Sequence, residues 1–113
     1  MELICSLTLQ GPLPVLQVSG EIDLATLPYF RDQLVRATSH HRGDTVFVDL
    51  DGVSVLDDSG LGMLLGGAGR AREDGGDLVI VCTTERLLAR FAATGLDRAI
   101  SVVSSAGHSV DHR

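Results

Sequence analysis

The chain has 113 residues, 44% hydrophobic, 21% charged and only 4% aromatic, the composition of one globular domain with an aliphatic core and too short for two. Its formal net charge is −6, from 15 acidic and 9 basic residues spread without a basic run, so direct DNA or RNA contact is not expected. All the basic residues are arginine, and with no lysine there is neither Schiff-base chemistry nor a P-loop lysine.

No stretch approaches the roughly 18 consecutive apolar residues of a membrane span. The N-terminus lacks the basic-then-apolar order of a signal peptide. The expected location is therefore the cytoplasm, with no membrane contact.

In chain order, residues 2–9 predict a first strand and 11–14 a turn, with Pro12 and Pro14 where an edge is blunted. A second strand over 15–19 leaves the turn in the opposite direction, since so short a link favours an antiparallel pair. Residues 20–23 are expected to break that strand. Thr26, with Pro28 behind it, opens a helix to about Ser39. Leu27, Phe30, Leu34 and Ala37 form its inward stripe, with Arg31, Asp32 and Arg36 in water. After a loop over 40–44, the continuous apolar run 45–50 predicts a strand covered on both faces.

A turn with two adjacent carboxylates and a hydroxyl, Asp57, Asp58 and Ser59, then stands at the start of a second helix. The first N–H groups there lack intrahelical partners and the dipole is positive, which suits a carboxylate, a hydroxyl oxygen or a phosphate. The plain structural reading is an N-cap at Asp58 or Ser59. Leu61, Leu64, Leu65, Ala68 and Ala71 make the expected core stripe. Gly62, Gly66 and Gly69 line another face, although each glycine costs about 0.5–1 kcal/mol relative to alanine. Two reasons for them remain open, close packing on the domain's own sheet or a smooth surface for another backbone. The glycine face begins beside the polar turn, which favours the second.

Gly75 and Gly76 close that helix, residues 77–82 predict a fourth strand, and Thr83 or Thr84 caps a third helix. Leu87, Leu88 and Phe91 face inward, Gly95 ends the helix, and 99–103 predict a last short strand. The domain is expected to span 1–103, with 104–113 a disordered polar tail. Cys5 and Cys82 lie in apolar runs and read as buried hydrophobes. His108 and His112 are spaced like metal ligands but have no companion, and no metal site is expected.

The alternation implies an α/β fold, a mixed, mostly parallel sheet of about five strands with an N-terminal antiparallel edge strand, right-handed crossovers and about three helices. Binding surfaces in such sheets lie beyond the carboxyl ends of the strands, so Glu21 to Asp23, the Asp57–Asp58–Ser59 turn and Thr83–Thr84 are expected to converge.

Asp57-Asp58-Ser59-Gly60-Leu61-Gly62 resembles the Asp-Ser-Ser/Thr-Gly-Leu-Gly signature of STAS domains of the bacterial anti-sigma factor antagonist type. The likeness continues in Gly20-Glu21-Ile22-Asp23-Leu24-Ala25-Thr26 and in Gly75-Gly76-Asp77-Leu78-Val79-Ile80-Val81, in the family's order and spacing from about Leu3 to Val103. It implies the STAS fold and a partner-switching role, in which the domain binds an anti-sigma factor that is a GHKL-type serine kinase and thereby frees a sigma factor. It also implies phosphorylation of the hydroxyl that follows the first Asp of the motif. That position holds Asp58 here, and Ser59 is the turn's only hydroxyl. Three readings stay open: Ser59 has taken over the role, Asp58 is a permanent partial mimic, or regulation needs no phosphate.

The expected partner surface comprises Asp23, Asp57, Asp58, Ser59, Gly62, Met63 and Gly66, on a monomer or weak dimer with no cofactor. STAS domains departing from this role serve lipid transporters or sensory complexes as interaction subunits. A nucleotide-binding reading of Gly60, Gly62 and Gly66 is weaker, because the last spacing is one residue too long and two carboxylates stand where a pyrophosphate would lie. No His, Cys or Lys completes a catalytic set around Asp57 and Asp58, so the chain is read as a binding module and not an enzyme.

Overall fold

A computed structural model describes residues 2–106. In chain order the elements are β1 (Leu3–Gln10), β2 (Leu13–Ile22), α1 (Leu27–His40), β3 (Thr45–Leu56), α2 (Asp58–Glu73), β4 (Asp77–Val81), α3 (Glu85–Thr94), α4 (Leu96–Ala99) and β5 (Val102–Val103). They form one sheet in the order β1-β2-β3-β4-β5. β1 runs antiparallel to β2, and every later pairing is parallel.

The helices supply one side of the main core. Phe30, Leu34 and Ala37 of α1, Leu61, Leu64 and Ala68 of α2, Leu87 and Phe91 of α3, and Leu96 of α4 pack with Leu16, Val48, Leu50, Leu78 and Ile80 of the sheet. The opposite face carries a second apolar cluster of Val15, Phe47, Val79, Val81 and Val103. β3 is thus buried on both faces over Val46, Phe47 and Val48, as its uninterrupted apolar run predicts. None of the described helices is long and apolar enough to cross a membrane.

The structure departs from the sequence expectation where strands end. β2 does not break at Gly20 but runs on to Ile22, and β3 extends beyond Leu50 to Leu56. The ladder between them absorbs register shifts after Gln17 and after Gly20. Gly20 makes this feasible, with φ at +112° and the Glu2 carbonyl where a Cβ would lie. At the other end, Leu96–Ala99 forms a helical turn, so β5 is shorter than the expected strand. The expectation of a disordered tail falls mainly on 107–113, outside the described residues.

Two glycines of α2 bring that helix down onto the sheet. A Cβ on Gly60 would lie 2.6 Å from Leu56 Cδ1 and 2.7 Å from Ile22 Cγ2, and one on Gly67 would lie 3.2 Å from Leu78 Cδ1. The sequence reading gave neither of them a packing role.

Thr83 and Thr84 also behave differently from expectation. Thr84 occupies the N-cap of α3 without a side-chain capping bond. Both threonines turn to Asp51 of β3, whose carboxylate accepts from the Thr83 backbone N–H at 2.6 Å, Thr83 Oγ1 at 3.1 Å and Thr84 Oγ1 at 3.3 Å. Burial acts to raise the Asp51 carboxyl, but these hydrogen bonds together outweigh it and hold the group below the ordinary carboxylate value. A lowered folded-state value contributes stability above the unfolded value of about 3.9 and loses it as pH falls through the folded one. Asp51→Asn should therefore cost ~0.5–1 kcal/mol at neutral pH, the charge-assisted bonds being discounted for solvent exposure. Urea unfolding at pH 7 and again near pH 3 checks this, with the difference between the proteins expected to shrink at the lower pH.

Candidate functional site

The site is built where β2 and β3 finish side by side. The Asp57 N–H donates to the Ile22 carbonyl at 3.2 Å, which fixes the Asp57–Asp58–Ser59 turn against the loop between β2 and α1. Asp23 begins that loop. Its Oδ1 accepts from the Ala25 N–H at 3.0 Å and the Thr26 N–H at 3.1 Å, while Thr26 Oγ1 donates to the Glu21 carbonyl at 2.7 Å. Asp23 is thus a shaping residue of an Asx-type turn. The tip it forms holds Leu24 outward, 75% exposed.

In the turn itself the N-cap of α2 is Asp57, one residue before Asp58 and two before Ser59, the positions expected from sequence, with φ −89° and ψ 177°. Its carbonyl accepts from the Gly60 N–H at 3.0 Å and the Leu61 N–H at 3.4 Å. Its carboxylate does not reach a backbone N–H and instead accepts from Ser59 Oγ at 2.6 Å. The Asp58 and Ser59 N–H groups, in the first turn, have no intrahelical acceptor and keep the helix end positive.

Asp58 points into solvent and meets Arg90 of α3, with Nη2 and Oδ1 2.6 Å apart. One helical turn earlier, Arg86 Nη2 donates to the Ser54 carbonyl at 3.0 Å. Sequence reading found neither contact. The two arginines are spaced i, i+4 on α3, a visible pattern, but their partners lie 32 residues away in sequence and no local rule connects them.

The glycine face is open. A Cβ on Gly62 or Gly69 would meet nothing within 4 Å, and one on Gly66 only Arg70 Nη1 at 3.8 Å. Internal packing therefore does not account for these three. Met63 is half-buried against the main core. Leu65, expected inward, is 43% exposed. The arc of α2 that meets the sheet runs through Gly60, Leu61, Leu64, Gly67, Ala68 and Ala71, which leaves Leu65 at its margin. With Leu61, Leu96 and Ala99 it lines a notch of about 120 Å³ between α2 and the α3–α4 junction.

Of the three segments expected to converge, two do. Thr83 and Thr84 are held by Asp51, roughly 20 Å along β3 from Asp57 at about 3.3 Å per residue. What α3 brings to the turn is Arg90 instead.

Burial pushes the Cys5 thiol up to about 11 and raises that of Cys82 as well, so both stay protonated and inert at neutral pH. Among the described residues no group of His, Cys, Asp and Glu could hold a metal ion. The arrangement offers a hydroxyl at a positive helix end, a neutralised carboxylate beside it and a smooth surface behind.

A family profile described as "Mlab, STAS domain" matches residues 5–104. An anti-sigma-B factor antagonist of Bacillus subtilis is 33% identical over 85 residues, covering 75% of this chain and 76% of the relative. Among solved structures, an anti-sigma factor antagonist from Mycobacterium paratuberculosis matches with a TM-score of 0.85 at 20% identity, over 98% of this chain and 93% of the other. The same fold recurs inside a murine solute carrier anion transporter, where the TM-score is 0.72 at 18% identity over 88% of this chain and 17% of the transporter.

The glycines of α2 divide into two experimental classes. Gly62→Ala and Gly66→Ala should each stabilise the domain by ~0.5–1 kcal/mol through helix propensity alone. Gly60→Ala should destabilise it by ~1–3 kcal/mol through overpacking against Leu56 and Ile22. Chemical denaturation of the three variants measures both signs, and a loss in Gly62→Ala or Gly66→Ala would return that face to internal packing.

Proposed function

The chain belongs to the STAS domain family, and from that premise we propose that it is an anti-sigma factor antagonist of the cytoplasm, binding an anti-sigma factor of the GHKL serine-kinase type and releasing the sigma factor that factor holds. The observation that carries this reading is the open glycine face of α2 directly behind the Asp57–Asp58–Ser59 turn. A partner backbone can approach Gly62 and Gly66 closely, while the turn at the helix start supplies the point of control. Asp23, Asp57, Asp58, Ser59, Gly62, Met63 and Gly66 form the partner surface in this reading, and Leu24 extends it as an exposed apolar contact.

Control is by phosphate on Ser59. Its hydroxyl already lies at the positive end of α2, where an added phosphate is tolerated by free N–H groups. The phosphate brings about −1.5 to −2 charges into a surface that otherwise admits close contact. Repulsion from Asp57 and Asp58 and attraction to the helix end are each on the order of 1 kcal/mol. They largely cancel within the domain, and the main penalty falls on the partner's interface.

A second reading, an interaction subunit of a transporter, draws on the occurrence of this fold within an anion transporter. Affinity capture separates the two, since recovery of a kinase without the sigma factor it has released supports the first and recovery of a transporter the second.

Incubation with the cognate kinase and ATP, followed by intact mass and peptide mapping, tests the switch. One phosphate on Ser59 is expected, absent in Ser59→Ala, and partner affinity should fall at least about tenfold on modification. An unmodified protein after full kinase turnover would move control away from Ser59.

A further inference from the structure

Resting on the functional reading above, we propose that Arg90 is the internal counter-ion that lets an acidic turn present itself as the unmodified state: it cancels the charge of Asp58 in place, so that a phosphate on Ser59 remains the event that changes what a partner meets. Three carboxylates crowd the two adjoining loops. Asp23 is engaged by the N–H groups of Ala25 and Thr26, and Asp57 accepts from Ser59 Oγ at the positive end of α2. Asp58 is joined instead to Arg90, at 2.6 Å.

The side chains of Asp58 and Arg90 are 92% and 33% exposed. An ion pair so open contributes little to the stability of the free domain and is screened by salt. Its weight changes when a partner covers the turn and water is displaced. A lone carboxylate is then costly to bury, whereas one already paired within the domain is far less so. The guanidinium is held ready for this. Arg86 is anchored on the Ser54 carbonyl one helical turn away, and the start of α3 is tied to Asp51 through Thr83 and Thr84. Asp58 is therefore no standing mimic of phosphoserine, and the partner needs no cation aimed at it.

The test is a binding titration of the unphosphorylated full chain against its purified anti-sigma factor kinase, using wild type, Arg90→Gln, Asp58→Ser and the double variant, with Arg86→Gln as a control. Arg90→Gln should weaken binding about tenfold, the effect of one uncompensated charge in a partly desolvated interface. Whatever Asp58→Ser does by itself, adding Arg90→Gln to it should cost no more than about threefold, so that the double variant binds like Asp58→Ser alone. Any loss in Arg86→Gln should not be rescued by Asp58→Ser, because Arg86 pairs with a carbonyl and not with that carboxylate. A loss in Arg90→Gln that persists at full size in the Asp58→Ser background would make Arg90 a direct contact or a structural clasp, and equal binding by wild type and Arg90→Gln would remove its role; either result overturns the inference. A wild type that binds no anti-sigma factor kinase overturns the functional reading itself and this inference with it.

Discussion

The site depends on β3 outrunning its neighbour. β4 pairs with β3 only from Thr45 to Asp49, whereas β2 stays paired with β3 as far as Leu56. The remainder of β3 is thus paired on one side only, by β2, and it carries the start of α2 beyond the end of β4. Backbone groups on the side that β4 has left need partners from elsewhere, since unpaired groups there are costly when shielded from water. α3 supplies one of them, Arg86 donating to the Ser54 carbonyl. The Asp51 side chain in turn holds the threonines before α3 to the same strand. Arg90 reaches the turn as a consequence of covering that edge.

The electrostatics of the turn follow from this arrangement. A net charge of −6 makes the approach of any acidic partner unfavourable, and carboxylates gathered at one loop sharpen the effect locally. The positive end of α2 offsets part of it, equivalent to about half an elementary charge, and Arg90 offsets one carboxylate more. What remains is the charge of Asp23 and Asp57, partly offset by the helix end. A phosphate added there would be read against a less acidic background than a turn with three unpaired carboxylates would give.

Much of the fold was legible because it rests on local periodicity. The continuous run in β3, the stripe of Phe30 and Leu34 in α1 and the inward Leu87 and Phe91 of α3 all fall where their spacing puts them. Gly20 was read as a stop because glycine usually marks one, while here it serves a bulge that keeps the ladder going. Leu65 fits the helical spacing and still faces out, because the arc buried depends on how closely Gly60 and Gly67 let α2 settle. The turn residues were visible as a motif. Arg90 was not, for its meaning comes from a contact across 32 positions that no periodicity encodes.

The open glycines bear on what kind of surface this is. Three of them in an exposed helical face cost together about 1.5–3 kcal/mol relative to alanine, a sizeable share of the roughly 5–15 kcal/mol by which a domain is stable. The close-packed pair, Gly60 and Gly67, is explained by the sheet beneath it; Gly62, Gly66 and Gly69 touch nothing that an added methyl would disturb. An alanine would also be small, so a requirement for mere smoothness would not exclude it. What glycine alone permits is an approach in which the helix backbone itself is the contact, with side chains of the other molecule seated between successive turns. A contact of that kind would tolerate neither an added methyl nor further charge at the helix start, and on α2 the bare face lies next to the turn that Arg90 pairs.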